Sequence, residues 1–350
     1  MEERCLLLIV IFSCFVVFCQ SSPGDRDPLY RNCVQNCEKT GCVNDWCFSS
    51  CNFAINGGSS ELSKAKCPYD VWMEWDCTSE CRYQCMNLRE SERQKDGQHP
   101  IKYHGKWPFK RVLGLQEPFS VVFSVANLVT HLYGLTSFLN LLHVALPKRP
   151  QGKRGPYYEY GFLWTVFGLA SLNSWVWSAV FHARDTVVTE RADYTSAVGL
   201  LGVSLIVSII RTCSLRIEAT QVMVAAPVIA FVSTHILYLN FYDFDYGWNM
   251  KVCVTLGILQ LLLWLVWAGF THHPSRSKLL FVVLAGAMSM LLEIFDFSPL
   301  WGCLDAHALW HAFTVPLTWV WWSFIKDDTS FRTSQLLNRA QQTEEPKKSK

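Results

Sequence analysis

The sequence predicts an all-α membrane protein: a seven-transmembrane helix bundle behind a small lumenal, cysteine-rich, disulfide-stapled N-terminal segment. Three observations predict it. Half of the 350 residues are hydrophobic and 17% are charged, against about 25% charged in ordinary soluble domains. The charge is also unevenly spread, leaving windows without Asp, Glu, Lys or Arg at 118–147, 160–183, 194–210, 219–242, 252–275, 279–292 and 306–325. Nine cysteines crowd between residues 33 and 85. The net charge of +2 excludes a nucleic-acid binder held by a strong basic field, and no heptad period supports a coiled-coil rod.

At the amino terminus, Arg4 precedes an apolar run from Cys5 to Cys19, followed by Ser21-Ser22-Pro23-Gly24. A basic n-region, a short apolar core and small residues at a cleavage site read as a signal peptide over residues 1–22. The run is shorter than the ~20 residues a membrane span needs. Residues 23–112 then hold Cys33, Cys37, Cys42, Cys47, Cys51, Cys67, Cys77, Cys81 and Cys85. Their three- and four-residue intervals lack the paired C-x2-C clusters of structural zinc sites. Behind a signal peptide the compartment is oxidising, so disulfides are expected. Nine is odd, and Cys303 is the natural candidate for the one left over. The pairing itself stays open.

Residues 113–326 carry the seven windows. Most reach the length a ~30 Å hydrocarbon layer requires; the third and sixth are short, and the sixth must take in Glu293 and Asp296 near its end. Alternate connectors carry Lys148, Arg149, Lys153, Arg154, Arg211, Arg216, Arg276 and Lys278, against Arg184, Arg191 and Lys251 in the others. Basic connectors stay in the cytosol, which places residues 23–112 in the lumen and the tail, 327–350, in the cytosol. The last residues, Lys347-Lys348-Ser349-Lys350, fit a cytosolic dilysine retrieval signal.

Most of the ten histidines need no special role. His307 and His311 differ: spaced i, i+4, they share one face of the seventh helix. Ser178 and His182 have the same spacing at the end of the second helix, Asp193 opens the third, and Asp305 precedes the H-x3-H pair. All lie at the lumenal ends of their helices, where unpaired polar groups are costly and function is the default reading. Three neutral imidazoles with an open fourth position make the ligand set of a catalytic zinc, so His182, His307 and His311 are candidate Zn2+ ligands. Asp193 is then expected to handle the proton of an activated water. Ser178 is expected to bond that water or a developing oxyanion, and Asp305 to orient an imidazole. A serine nucleophile at Ser178 with His182 as its base is a chemical rival.

His104-Gly105-Lys106-Trp107-Pro108-Phe109, Gln116-Glu117-Pro118, Asn173-Ser174-Trp175 through Ser178, Phe181-His182-Ala183-Arg184-Asp185 and Asp305-Ala306-His307 through His311 resemble the post-GPI-attachment lipid-remodelling family. That family sits within the CREST superfamily of seven-helix membrane hydrolases. The resemblance covers essentially the whole chain. It implies a metal-dependent acyl-ester hydrolase that removes the sn-2 acyl chain of GPI-linked phosphatidylinositol, with GPI-anchored proteins as partners and residence in the Golgi membrane. The dilysine-like terminus adds cycling through the endoplasmic reticulum. By position it implies His182, His307 and His311 as zinc ligands, with Ser178 and Asp193 completing the site. Two other readings share these residues: an alkaline-ceramidase-like amidase, and a receptor whose zinc is structural, with Asp193 as fourth ligand.

Overall fold

A computed structural model describes residues 22–51, 75–147 and 156–344. All but the last residue of the expected signal peptide, Cys67, the basic connector from Lys148 to Arg154 and the terminal dilysine lie outside these residues. The described chain forms two compact units, one running to Pro108 with Asp245–Lys251 added, the other comprising Phe109–Phe244 and Val252 onward.

Among the described residues, the first unit is built on two long helices and four disulfides. After a short turn of helix, α1 (Pro23–Arg26), α2 spans Pro28–Thr40 and α3 spans Cys77–Lys95. The Asp27 carboxylate accepts the Leu29 N–H at 2.9 Å, and Asp76 accepts the Ser79 N–H at 3.1 Å. Each thereby satisfies an orphan donor at a helix start. Cys33 and Cys37 stand i, i+4 on α2; Cys81 and Cys85 do the same on α3. Two antiparallel helices facing each other along those stripes close Cys33–Cys85 and Cys37–Cys81. A two-residue hairpin, β1 (Cys42–Val43) and β2 (Trp46–Cys47), is closed by Cys42–Cys47, and Cys51–Cys77 ties the next segment to the start of α3. Cys303 has no disulfide partner among the described residues.

An ion pair completes this unit: Arg89 Nε donates to Asp27 Oδ2 at 2.6 Å. Burial alone would raise the Asp27 pKa, but the hydrogen bonds from Arg89 and from the Leu29 N–H hold it below its ordinary value. Buried Tyr30 bonds His104 at 3.0 Å, and burial lifts its hydroxyl to about 12. His104 and Gly105, with φ of 49° and 80°, form the tip of a tight turn closed by reciprocal backbone bonds between Tyr103 and Lys106. The first three residues of the H-G-K-W-P-F stretch thus belong to a tight turn.

The second unit is helical: α4 (Pro118–Asn140, continued by a π-helical turn, Leu141–Ala145), α5 (Gly161–Ala183), α6 (Val187–Thr212), α7 (Glu218–Phe241), α8 (Tyr246–Phe270, whose first turns belong to the other unit), α9 (Arg276–Ile294) and α10 (Ala306–Glu344). Each expected window falls on one of these helices. Among the described residues, four of them, α4 with its π turn, α6, α7 and α8, are long and apolar enough to cross a membrane. Helix α4 packs against α5 and α10, α5 against α6, α6 against α7, and α9 against α10. The core between them is aromatic, with Phe138, Trp164, Trp264, Trp322 and Phe324 fully or nearly fully buried. At Gly134 a Cβ would lie 2.2 Å from the Trp322 ring, so only glycine lets α4 approach α10 this closely. Val122, Val125, Val129 and Leu132, by contrast, are exposed on α4, an apolar face suited to lipid.

Helix α10 runs past the end of its apolar window, and Asp328 lies on that extension. Its carboxylate is fully buried, taking a bidentate bond from Arg211 at the end of α6 and a 2.5 Å bond from the Tyr158 hydroxyl. Arg211 is therefore a helix-pairing residue rather than a loop charge.

Candidate metal centre

The site begins with two helix ends and one helix start. His182 sits in the last turn of α5, one turn after Ser178. His307 and His311 occupy the first two turns of α10. Asp305 caps that helix, its Oδ1 accepting the Ala308 N–H at 2.9 Å. This differs from the role expected of Asp305: it fixes the helix that carries two imidazoles and orients no imidazole itself.

The three rings converge. His307 Nε2 lies 2.8 Å from His311 Nε2 and 3.3 Å from His182 Nε2, and the ligating atoms all fall within 4.8 Å of one another. A zinc ion with N ligands at about 2.0–2.1 Å in tetrahedral array separates those nitrogens by about 3.4 Å. The trio fits one such ion.

The far side of each ring strengthens the fit. His182 Nδ1 meets Glu117 Oε2 at 2.7 Å, His307 Nδ1 meets Glu293 Oε2 at 2.8 Å, and His311 Nδ1 meets Ser124 Oγ at 3.1 Å. An imidazole that donates from Nδ1 keeps its Nε2 lone pair free and aimed, the arrangement by which outer partners orient metal-binding histidines. With an outer partner at every Nδ1, the three Nε2 atoms are left to face one another, as a group that could hold a metal ion.

Glu117 stands at the start of α4, where its own N–H reaches the His182 carbonyl at 3.0 Å. Ser124 follows two turns later, buried, and Asn127 donates to the His311 carbonyl at 2.9 Å. Helix α4 thus grips both His182 and His311. Glu293 comes from the end of α9, which accounts for a carboxylate near the end of an apolar window.

Ser178 joins the cluster through Ser124, their hydroxyl oxygens 3.0 Å apart. It is not bonded to His182, whose two nitrogens face Glu117 and His307, so the serine–histidine nucleophile pairing finds no geometric support. Asp193 lies in the second turn of α6, outside the group of three ligating nitrogens. The burial is asymmetric. His182 and Glu117 are enclosed, while the His307 and Glu293 side chains remain 31% and 28% exposed. The centre opens on that side.

A family model described as Per1-like matches residues 68–329. Among curated proteins, the chain is 37% identical to a zebrafish (Danio rerio) protein named GPI-specific phospholipase A2-like PGAP3, over 88% of this chain and 91% of that one. It is 32% identical to the human protein of the same name, over 92% and 94% of the two chains. It is also 33% identical to post-GPI attachment to proteins factor 3 of Drosophila melanogaster, over 93% and 95%. No solved structure matches the chain.

Proposed function

The chain belongs to the Per1-like family, and from that membership we propose that it remodels GPI anchors by hydrolysing the sn-2 acyl ester of GPI-linked phosphatidylinositol. The observation that carries this reading is the convergence of the three Nε2 atoms with every Nδ1 held by an outer partner. His182, His307 and His311 would hold one zinc ion. When bound, zinc supplies a Lewis acid for the ester carbonyl and lowers the pKa of a bound water from ~16 to about 7.

The chain's own residues do the rest. Glu117, Glu293 and Ser124 keep the three rings in the ligating tautomer. Ser178 offers a hydroxyl on the same face of α5 as His182, placed to donate to the carbonyl oxygen as it becomes an oxyanion. Asp193 takes the proton of the attacking water and returns it to the glycerol oxygen. Water adds to the carbonyl carbon and the bond to the sn-2 oxygen breaks. Free fatty acid leaves, and the anchor keeps a hydroxyl.

In this reading all seven helices of the second unit cross the membrane. The basic connectors face the cytosol, and the histidine-bearing ends face the lumen of the Golgi and endoplasmic reticulum. There the substrates, GPI-anchored proteins, carry their lipid in the adjoining leaflet.

The test is the lipid profile of GPI anchors from cells expressing wild type or His307→Ala at equal abundance. Anchors that keep their original sn-2 chain only in the variant support the reading. Unchanged anchors, with release of a sphingoid base by the wild type instead, would turn it toward an amidase.

A further inference from the structure

Resting on the lipid-ester reading, we infer that Lys110 is the cation that receives the phosphodiester of the substrate's headgroup at the open lip of the histidine cluster. The residues from Phe109 to Glu117 form a strap over that end of the second unit. Its beginning is pinned by the Lys110 N–H to the Gly302 carbonyl at 2.7 Å. Its end is pinned by the Gln116 and Glu117 N–H groups to the carbonyls of Ala183 and His182, at 3.1 and 3.0 Å. Phe109 is buried and anchors the strap, while Lys110 is exposed.

The lysine is held in place by its stem. Gly302 has φ of +75°, and a Cβ built on it would lie 3.0–3.1 Å from three carbons of the Lys110 side chain. The stem therefore lies along the turn that leads to Asp305 and into the helix bearing His307. Gly302 precedes His307 by five residues, a reach of at most about 18 Å, and His307 is the exposed member of the trio.

The electrostatics single out this residue. Glu117, Glu293 and Asp305 surround the cluster with carboxylates, and nothing among them offers a phosphate a countercharge. Arg111 and Arg184, the neighbouring cations, already interact with other groups, whereas the Lys110 ammonium has no such partner among the described residues. An ammonium is a point-charge donor that suits a phosphate oxygen. A diester anchored there leaves the acyl ester free to enter beside His307, which divides headgroup recognition from bond cleavage.

The test compares equilibrium binding of phosphatidylinositol with that of diacylglycerol, each in the same neutral detergent micelles, to full-length wild type, Lys110→Gln and Lys110→Arg. The wild type should prefer the anionic lipid by about tenfold, an effect of one charge-assisted contact. That preference should collapse in Lys110→Gln and persist in Lys110→Arg. A Lys110→Gln protein that keeps the preference, or that loses both lipids equally, overturns the assignment. Fatty-acid release by the wild type is measured alongside. Its absence would defeat the hydrolase reading, while the binding ratio still decides the role of the lysine.

Discussion

His307 is bonded at both ring nitrogens, to the Glu293 carboxylate at 2.8 Å on one side and to the ligating face of the cluster on the other. Glu293 thus holds the ring that stands at the open side of the centre, and Glu117 does the same for the enclosed His182. Replacing an outer partner of this kind costs about 10–100-fold in metal affinity. Glu293→Gln and Glu117→Gln should each weaken zinc binding within that range, measured by competition with a chromogenic chelator. Glu117→Gln should also lower thermal stability, because its site is buried, whereas Glu293→Gln should not. Zinc affinity unchanged in both variants contradicts the assigned roles.

Ser124 and Ser178 separate binding from chemistry. Ser124→Ala leaves His311 Nδ1 buried without its hydrogen-bond partner, at a cost of about 1–3 kcal/mol, so zinc should be lost more readily. Ser178→Ala removes a hydroxyl that touches Ser124 alone among the site residues. It should retain zinc while fatty-acid release falls about 10²-fold, as for a lost oxyanion donor. Equal zinc loss in both variants would place Ser178 in the metal's support instead.

The Asp27–Arg89 pair gives the first unit an acid limb. The folded-state pKa of Asp27 is depressed, so its stabilisation is fully present above the unfolded value of about 3.9 and is lost as pH falls through the folded value. Hydrogen exchange of the α2 amides in the full-length protein should accelerate below about pH 4. Asp27→Asn should keep the helix cap yet show faster exchange at neutral pH and a flatter acid limb. An unaltered acid limb in that variant removes the pair from the account.

Buried Asp328 joins Arg211 and Tyr158 far along α10 from the histidines. Removing one member of a buried ion pair costs about 3–5 kcal/mol because the other charge is stranded. Asp328→Ala should therefore destabilise the protein in detergent far more than Asp328→Leu combined with Arg211→Met. Comparable losses in both would mean that the pair's packing, not its charge, holds α6 to α10.

Much of this site was legible in the sequence because a helix makes i, i+4 residues neighbours. His307 with His311, and Ser178 with His182, could be placed on common faces from spacing alone. The same rule puts Cys33 with Cys37 and Cys81 with Cys85, although pairing the two stripes needed the antiparallel packing of α2 on α3. The outer partners were not readable. Glu117, Ser124 and Glu293 reach their histidines across 65, 187 and 14 residues, and no local pattern marks such a contact. Glu293 left one trace, a charge where the apolar window should continue. Charge-free windows located every long helix of the second unit but misjudged the extent of α10. Charges end an apolar stretch without ending a helix whose backbone bonds continue, as Asp328 on its buried extension illustrates.

The most direct measurement is the metal content of purified full-length protein. About one zinc per chain is expected in the wild type and in His131→Ala, and none in His307→Ala or His311→Ala. A folded wild-type protein that releases fatty acid from GPI lipid while free of bound metal would contradict the account.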